Sequence, residues 1–115
     1  MKKILIFSFI SMFILSACAS RPGEFDAFAQ CTNEAGLVMY GTEWCPHCQN
    51  QKGLFGRSFR LVNYVDCDRD RRTCMEEGIT GFPTWKFDGQ SYSGVQQLTF
   101  LSDLTGCPLF EEELA

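Results

Sequence analysis

Residues 37–48 read Leu37-Val38-Met39-Tyr40-Gly41-Thr42-Glu43-Trp44-Cys45-Pro46-His47-Cys48. The apolar run 37–40 has the texture of a buried strand. Residues 41–44 make a short loop. Two cysteines spaced by two residues then open what reads as a helix over 46–55, with possible extension to 59. A strand that delivers a Cys-x-x-Cys pair to a helix start has the pattern of a dithiol/disulfide redox centre. The unpaired N–H groups and partial positive charge of a helix N-terminus stabilise a thiolate on the first cysteine. Pro46 suits the first turn, where its missing N–H costs nothing. A protonated His47 would add positive charge beside the pair. Stabilising the reduced form makes the disulfide the stronger oxidant, so the motif leans toward donating disulfides. Cys45 is the candidate nucleophile and Cys48 the internal thiol. His47, Pro46 and Trp44 are candidate tuning and rim residues.

Zinc is the competing use of such a pair. It needs a second pair of ligands, and only Cys67 and Cys74 have useful spacing. Their separation does not match a zinc ribbon, so redox chemistry is the stronger reading. Dithiol exchange uses only sulfur, and no cofactor or metal is expected.

Working outward, the chain of 115 residues begins Met1-Lys2-Lys3, followed by a nearly unbroken apolar run over 4–15. That is the n-region and h-region of an export signal. It is too short to span a bilayer comfortably, which takes about 20 residues. Leu15-Ser16-Ala17-Cys18 follows directly and resembles the lipobox of a bacterial lipoprotein. The resemblance implies a signal peptide over 1–17, a lipid on the Cys18 sulfur and a tether over 18–23. The alternative is an ordinary signal peptide cut nearby. The domain would then run over 24–115, attached to a membrane by lipid rather than by a spanning helix.

A domain of that length holds one modest core and gains from cross-links. The formal charge is −4, and loss of Lys2 and Lys3 makes it about −6. No basic run suggests nucleic acid; Arg69, Arg71 and Arg72 alternate with Asp66, Asp68 and Asp70. Beyond Cys18 there are six cysteines, an even number in a chain expected to be exported, which suggests disulfides. Spacing alone does not choose among their pairings. Cys31 and Cys107 lie in the first and just past the last expected helix, where a bond would pin both ends of the domain.

The remaining pattern predicts a helix over 24–35 ended by Gly36, a strand over 61–66, a loop and short helix over 68–77, a strand over 84–87, a turn at Asp88-Gly89, a strand over 90–92, and a helix over 98–105 capped by Gly106. The first two strands would be parallel and the last two a hairpin. This is an α/β order giving a mixed four-stranded sheet flanked by helices, with an N-terminal helix.

Trp44-Cys45-Pro46-His47-Cys48 together with Gly78-Ile79-Thr80-Gly81-Phe82-Pro83-Thr84 resembles the thioredoxin fold, in which a cis-proline packs beside the dithiol. Pro83 would be that proline. The Cys-Pro-His-Cys interior is similar to the DsbA-like oxidants. A closer resemblance is to the thioredoxin-like domain associated with bacterial homologues of vitamin K epoxide reductase. It rests on Met39-Tyr40-Gly41, Gln51-Lys52, Leu54-Phe55-Gly56, Tyr64-Val65-Asp66-Cys67, Phe82-Pro83-Thr84-Trp85 and Tyr92-Ser93-Gly94-Val95. The resemblance implies a structural disulfide between Cys67 and Cys74. It also implies oxidation of exported proteins, and reoxidation by a quinone-linked membrane thiol oxidase, that homologue or a DsbB-like one. The chain departs from the pattern in two ways. Many thioredoxins carry a buried acid six residues before the first cysteine, where this chain has Met39. The first strand of the larger fold is replaced by the helix over 24–35, and no inserted helical domain is present. The competing functions are a lipid-anchored thiol reductant of the same fold and a non-catalytic envelope lipoprotein. The expected location is the cell envelope, on the non-cytoplasmic side of a membrane, in a periplasm or at the cell surface.

Overall fold

The computed structural model describes residues 21–110. The expected signal peptide and the lipidation residue Cys18 lie outside the described residues. Helix α1 spans Asp26–Ala35 and strand β1 Val38–Gly41. Helix α2, Pro46–Phe55, runs into a 3-10 helix, Gly56–Leu61, before strand β2, Tyr64–Asp66. Helix α3, Arg71–Glu76, leads to strands β3, Thr84–Phe87, and β4, Gln90–Ser93, and helix α4, Leu98–Thr105, closes the order.

The sheet order is β2-β1-β3-β4. β1 and β2 are parallel, with Met39 opposite Tyr64 and Gly41 opposite Asp66. β3 runs antiparallel to β1, placing Trp85 opposite Met39, and β4 is antiparallel to β3. The mixed four-stranded sheet flanked by helices is the one the sequence predicts. The strand expected over 61–66 is shorter than predicted. Leu61 ends the 3-10 helix, and Phe59, Leu61 and Val62 reach the core from that turn rather than from a strand.

Strand alternation divides the apolar residues between two faces. Met39 and Trp85 look toward α1, α2 and α4, where they join Phe28, Ala29, Phe55 and Leu101 in the main core. Val38 and Tyr40 look the other way and pack with Val65, Cys67, Cys74 and Ile79 beneath α3. Among the described residues no helix is long and apolar enough to cross a membrane.

The N-terminal helix is tied down at its start. The Phe25 N–H donates to the buried Ser58 hydroxyl at 2.8 Å, and Arg60 binds Asp26 through two 2.7 Å hydrogen bonds. That fork draws the Asp26 carboxyl well below the usual carboxylate range. Gly36 ends α1 in a left-handed conformation, φ 97°, that glycine adopts without steric cost.

Cys31 is bonded to Cys107, joining α1 to the residue beyond α4's glycine cap, and Cys67 is bonded to Cys74 across the loop between β2 and α3. The sequence separations are 76 and 7. Chain entropy makes the longer loop worth about 4.5 kcal/mol and the shorter about 2.5 kcal/mol. Removing Cys31–Cys107 by paired serine substitution should therefore cost more stability than removing Cys67–Cys74, by about 2 kcal/mol in denaturant unfolding. Equal costs would contradict the entropic account.

Candidate active site

The site lies at the end of β1, where the loop Thr42–Trp44 turns the chain into α2. Cys45 is the N-cap of that helix, with extended backbone (φ −75°, ψ 119°) and Pro46 behind it in the first turn. Its sulfur accepts a hydrogen bond from the Cys48 N–H at 3.3 Å. The N-cap is the position where a side-chain acceptor satisfies one of the helix's orphan donors; here a sulfur takes the part usually played by an oxygen. The same sulfur lies 3.7 Å from the Phe82 carbonyl oxygen, to which its thiol donates. Phe82 is joined to Pro83 by a cis peptide, and Pro83 is fully buried. The structure thus brings the Cys-x-x-Cys pair and the proline loop together, although they are far apart in sequence. Cys45 and Cys48 are free thiols; the other four cysteines among the described residues are in disulfides. Since Cys67 and Cys74 are bonded to each other, they are not available to complete a zinc site.

Cys45, expected as the exposed thiol, is only 5% exposed because Phe82 and the start of α2 close over it, so both thiols are buried and differ in setting rather than in exposure. Cys48 is fully buried. Its pKa is pushed up to about 11, by burial first and then by the hydrogen bond with Cys45, against the opposing pull of the Thr42 backbone and the Lys52 charge. The sulfur is seated against bare backbone at Gly41. A Cβ added there would lie 2.8 Å from Cys48 Sγ and 3.4 Å from the Tyr64 ring. Gly41 is therefore a site residue through the atoms it lacks.

His47 and Pro46 are exposed on the first turn of α2. Trp44 is 68% exposed and marks the rim. Its indole N–H donates to Asp68 Oδ2 at 2.8 Å, and its ring stands edge-on to Phe82 at 6.3 Å. It therefore bridges the active-site loop to the loop that carries the Cys67–Cys74 bond. Met39, six residues before Cys45, is fully buried in the main core.

Two residues important to the site do not announce themselves in sequence. Gln51, fully buried, accepts hydrogen bonds from Trp85 Nε1 at 2.9 Å and the Gln96 N–H at 2.7 Å. It donates to the Gln96 carbonyl at 2.9 Å. It thereby fixes α2 to β3 and to the segment entering α4. The available signal was position: Cys48, Gln51 and Phe55 share one helical face, so a polar residue stands in the buried row. The other is Lys52, whose ammonium lies 3.0 Å from Glu43 Oε2 and 4.4 Å from the Tyr64 ring centroid.

Two free thiols, one at a helix N-cap and one a turn further in, faced by a proline loop on a mixed sheet, define the thiol–disulfide oxidoreductase class. The profile of the Thioredoxin family matches residues 17–103, and the chain belongs to that family. It is 38% identical over 92 residues to the thiol-disulfide oxidoreductase LTO1 of Arabidopsis thaliana, covering 72% of this chain and 24% of that protein. It is 28% identical over 98 residues to protein disulfide-isomerase 1 of Dictyostelium discoideum, covering 70% of this chain and 27% of the relative. The chain thus spans about a quarter of the length of these curated relatives. Among solved structures, thioredoxin NaTrxh of Nicotiana alata is 17% identical with a TM-score of 0.49, covering 75% of this chain and 93% of that one. Fasciola hepatica thioredoxin is 20% identical with a TM-score of 0.45, covering 66% and 86%.

The seat at Gly41 can be tested against a glycine with room. Gly41→Ala should lose about 1–3 kcal/mol of stability through overpacking and slow disulfide exchange at Cys48. Gly53→Ala, inside α2 with nothing within 4 Å of the added carbon, should instead gain about 0.5–1 kcal/mol. Thermal or urea unfolding of the two variants reads the difference in sign.

Proposed function

We propose that this chain is an exported, lipid-anchored thiol oxidant that passes the Cys45–Cys48 disulfide to exported proteins. The observation that carries the reading is the asymmetry of the pair. Cys45 sits at the helix N-cap beside the Phe82 carbonyl, while Cys48 is enclosed over Gly41. In the oxidised form a substrate thiolate attacks Cys45 Sγ. The Cys45–Cys48 bond breaks, a mixed disulfide forms, and Cys48 leaves as a thiolate that takes up a proton. A second substrate thiolate then attacks the substrate sulfur of the mixed disulfide. The product disulfide departs, and the chain is left as a dithiol that has gained two electrons. His47 supplies charge near Cys45 when protonated. Pro83 brings no N–H to the groove, and the backbone of Phe82 would pair with an extended substrate.

Reoxidation requires a disulfide of higher potential. A quinone-linked membrane thiol oxidase, a vitamin K epoxide reductase homologue or a DsbB-like protein, fits that need. The oxidising direction is supported by the Pro46-His47 interior. Export is supported by two further disulfides in so small a domain, since such bonds persist in oxidising compartments. Cys18 would carry the lipid, placing the domain on the non-cytoplasmic side of the membrane.

Both parts have direct tests. In cells producing the Cys48→Ala variant, Cys45 should accumulate in mixed disulfides with exported proteins and a membrane oxidase. These should be visible on non-reducing gels and absent from the Cys45→Ser, Cys48→Ala double variant. Metabolic labelling with radioactive palmitate should mark the unaltered chain and be lost on Cys18→Ser. Trapped adducts of cytoplasmic proteins alone, or Cys18-independent labelling, would contradict the proposal.

A further inference from the structure

The exchange step puts negative charge on Cys48, deep in the core, and no carboxyl stands at the Met39 position to take its proton. On α2, Lys52 lies four residues after Cys48, one turn further along the same side of the helix. Its ammonium rests over the faces of Tyr64, at 4.4 Å, and Phe59, at 5.4 Å, and is held by Glu43 Oε2 at 3.0 Å. The Tyr64 ring in turn borders the Gly41 seat that holds the Cys48 sulfur. The lysine side chain is only 19% exposed, so its charge is poorly screened on that side. The two rings restrict its tip, and a cation over an aromatic face is itself a favourable contact.

Building on the exchange reaction proposed above, we infer that Lys52 is a positioning residue. Its clamped ammonium stabilises the Cys48 thiolate across the Tyr64 ring and does by charge what a buried acid would do by accepting a proton. The groups facing this seat are few. Cys45 lies on the N-cap side, where the two thiols share a hydrogen bond. Tyr64 and Asp66 come from β2, and Glu43 from the active-site loop. Tyr64 stays protonated, because burial and then the Glu43 and Asp66 carboxylates push its phenol upward. Lys52 is the cation of this set, and it acts against the burial that raises Cys48.

The test uses the reduced intact chain mixed with the aromatic disulfide DTNB in stopped flow. A first phase puts thionitrobenzoate on Cys45. In a second phase, identified by its loss in Cys48→Ser, the Cys48 thiolate attacks Cys45 Sγ. The Cys45–Cys48 bond forms, the mixed disulfide breaks, and a second thionitrobenzoate anion leaves. Between pH 6 and 9 the second phase should accelerate with the thiolate fraction. Lys52→Met keeps the apolar stem over the rings but removes the charge. It should displace this profile upward by about half to one pH unit, which slows the step about three- to tenfold at fixed pH. Lys52→Arg should stay within about twofold of the unaltered chain. Lys52→Gln repeats the charge removal should the methionine variant fail to fold. A second phase within twofold of normal in the charge-removed variant, or an arginine variant as slow as the methionine one, would overturn this role while leaving the exchange function intact. Absence of any Cys45-dependent first phase would overturn the function and this inference with it.

Discussion

The structure turns on the close seat of the Cys48 sulfur against the bare backbone of Gly41. That contact sets how near α2 can lie to β1, and so where the N-terminus of α2 points. With the helix seated, Cys45 falls at the N-cap, within reach of both the Cys48 N–H and the Phe82 carbonyl. The same approach buries Cys48, and burial is the leading cause of its raised pKa. A single missing methyl thus links packing to chemistry. It sets one thiol at the helix N-cap beside the proline loop and the other against the sheet, both of them buried.

Gln51 keeps that seat rigid. Its side-chain oxygen takes two hydrogen bonds, from the Trp85 indole and the Gln96 backbone, in a site closed to water. Loss of such a group leaves buried donors unsatisfied, at about 1–3 kcal/mol each. The Cys31–Cys107 bond supports the opposite end of the core by holding α1 to the end of α4. On the far face of the sheet, the Cys67–Cys74 bond steadies the loop whose Asp68 holds Trp44 at the rim. The two cross-links therefore serve different parts of the molecule, one the domain as a whole and one the approach to the dithiol.

The local signals in the sequence carried far. Pro46 after Cys45 located the start of α2 because a proline fits only where no N–H is needed. Gly36 and Gly106 marked helix ends because both adopt the left-handed conformation there. The apolar run before the motif gave β1, and Asp88-Gly89 gave the final hairpin. The strand that the sequence predicts over 61–66 is longer than the one that forms, because apolar residues in a 3-10 turn bury as well as those in a strand, and only Tyr64–Asp66 find a partner in β1. The roles of Gln51 and Lys52 were hidden for another reason. Gln51 meets Trp85 and Gln96, 34 and 45 residues away, and Lys52 meets Glu43, Phe59 and Tyr64. No periodicity encodes such pairings. Trp44, by contrast, could be placed at the rim from its position beside the motif, but its anchor on Asp68 could not.

The central claim is that the chain gives disulfides away rather than reducing them. The reduction potential of the Cys45–Cys48 pair tests it most directly. The intact chain would be equilibrated in glutathione buffers and followed by Trp44 fluorescence, with Cys45→Ser as the control. The account predicts a Cys45-dependent transition well above the value of about −270 mV typical of thioredoxin, toward the −120 mV of strong oxidants. A potential at or below that of thioredoxin would make the chain a reductant and contradict the claim.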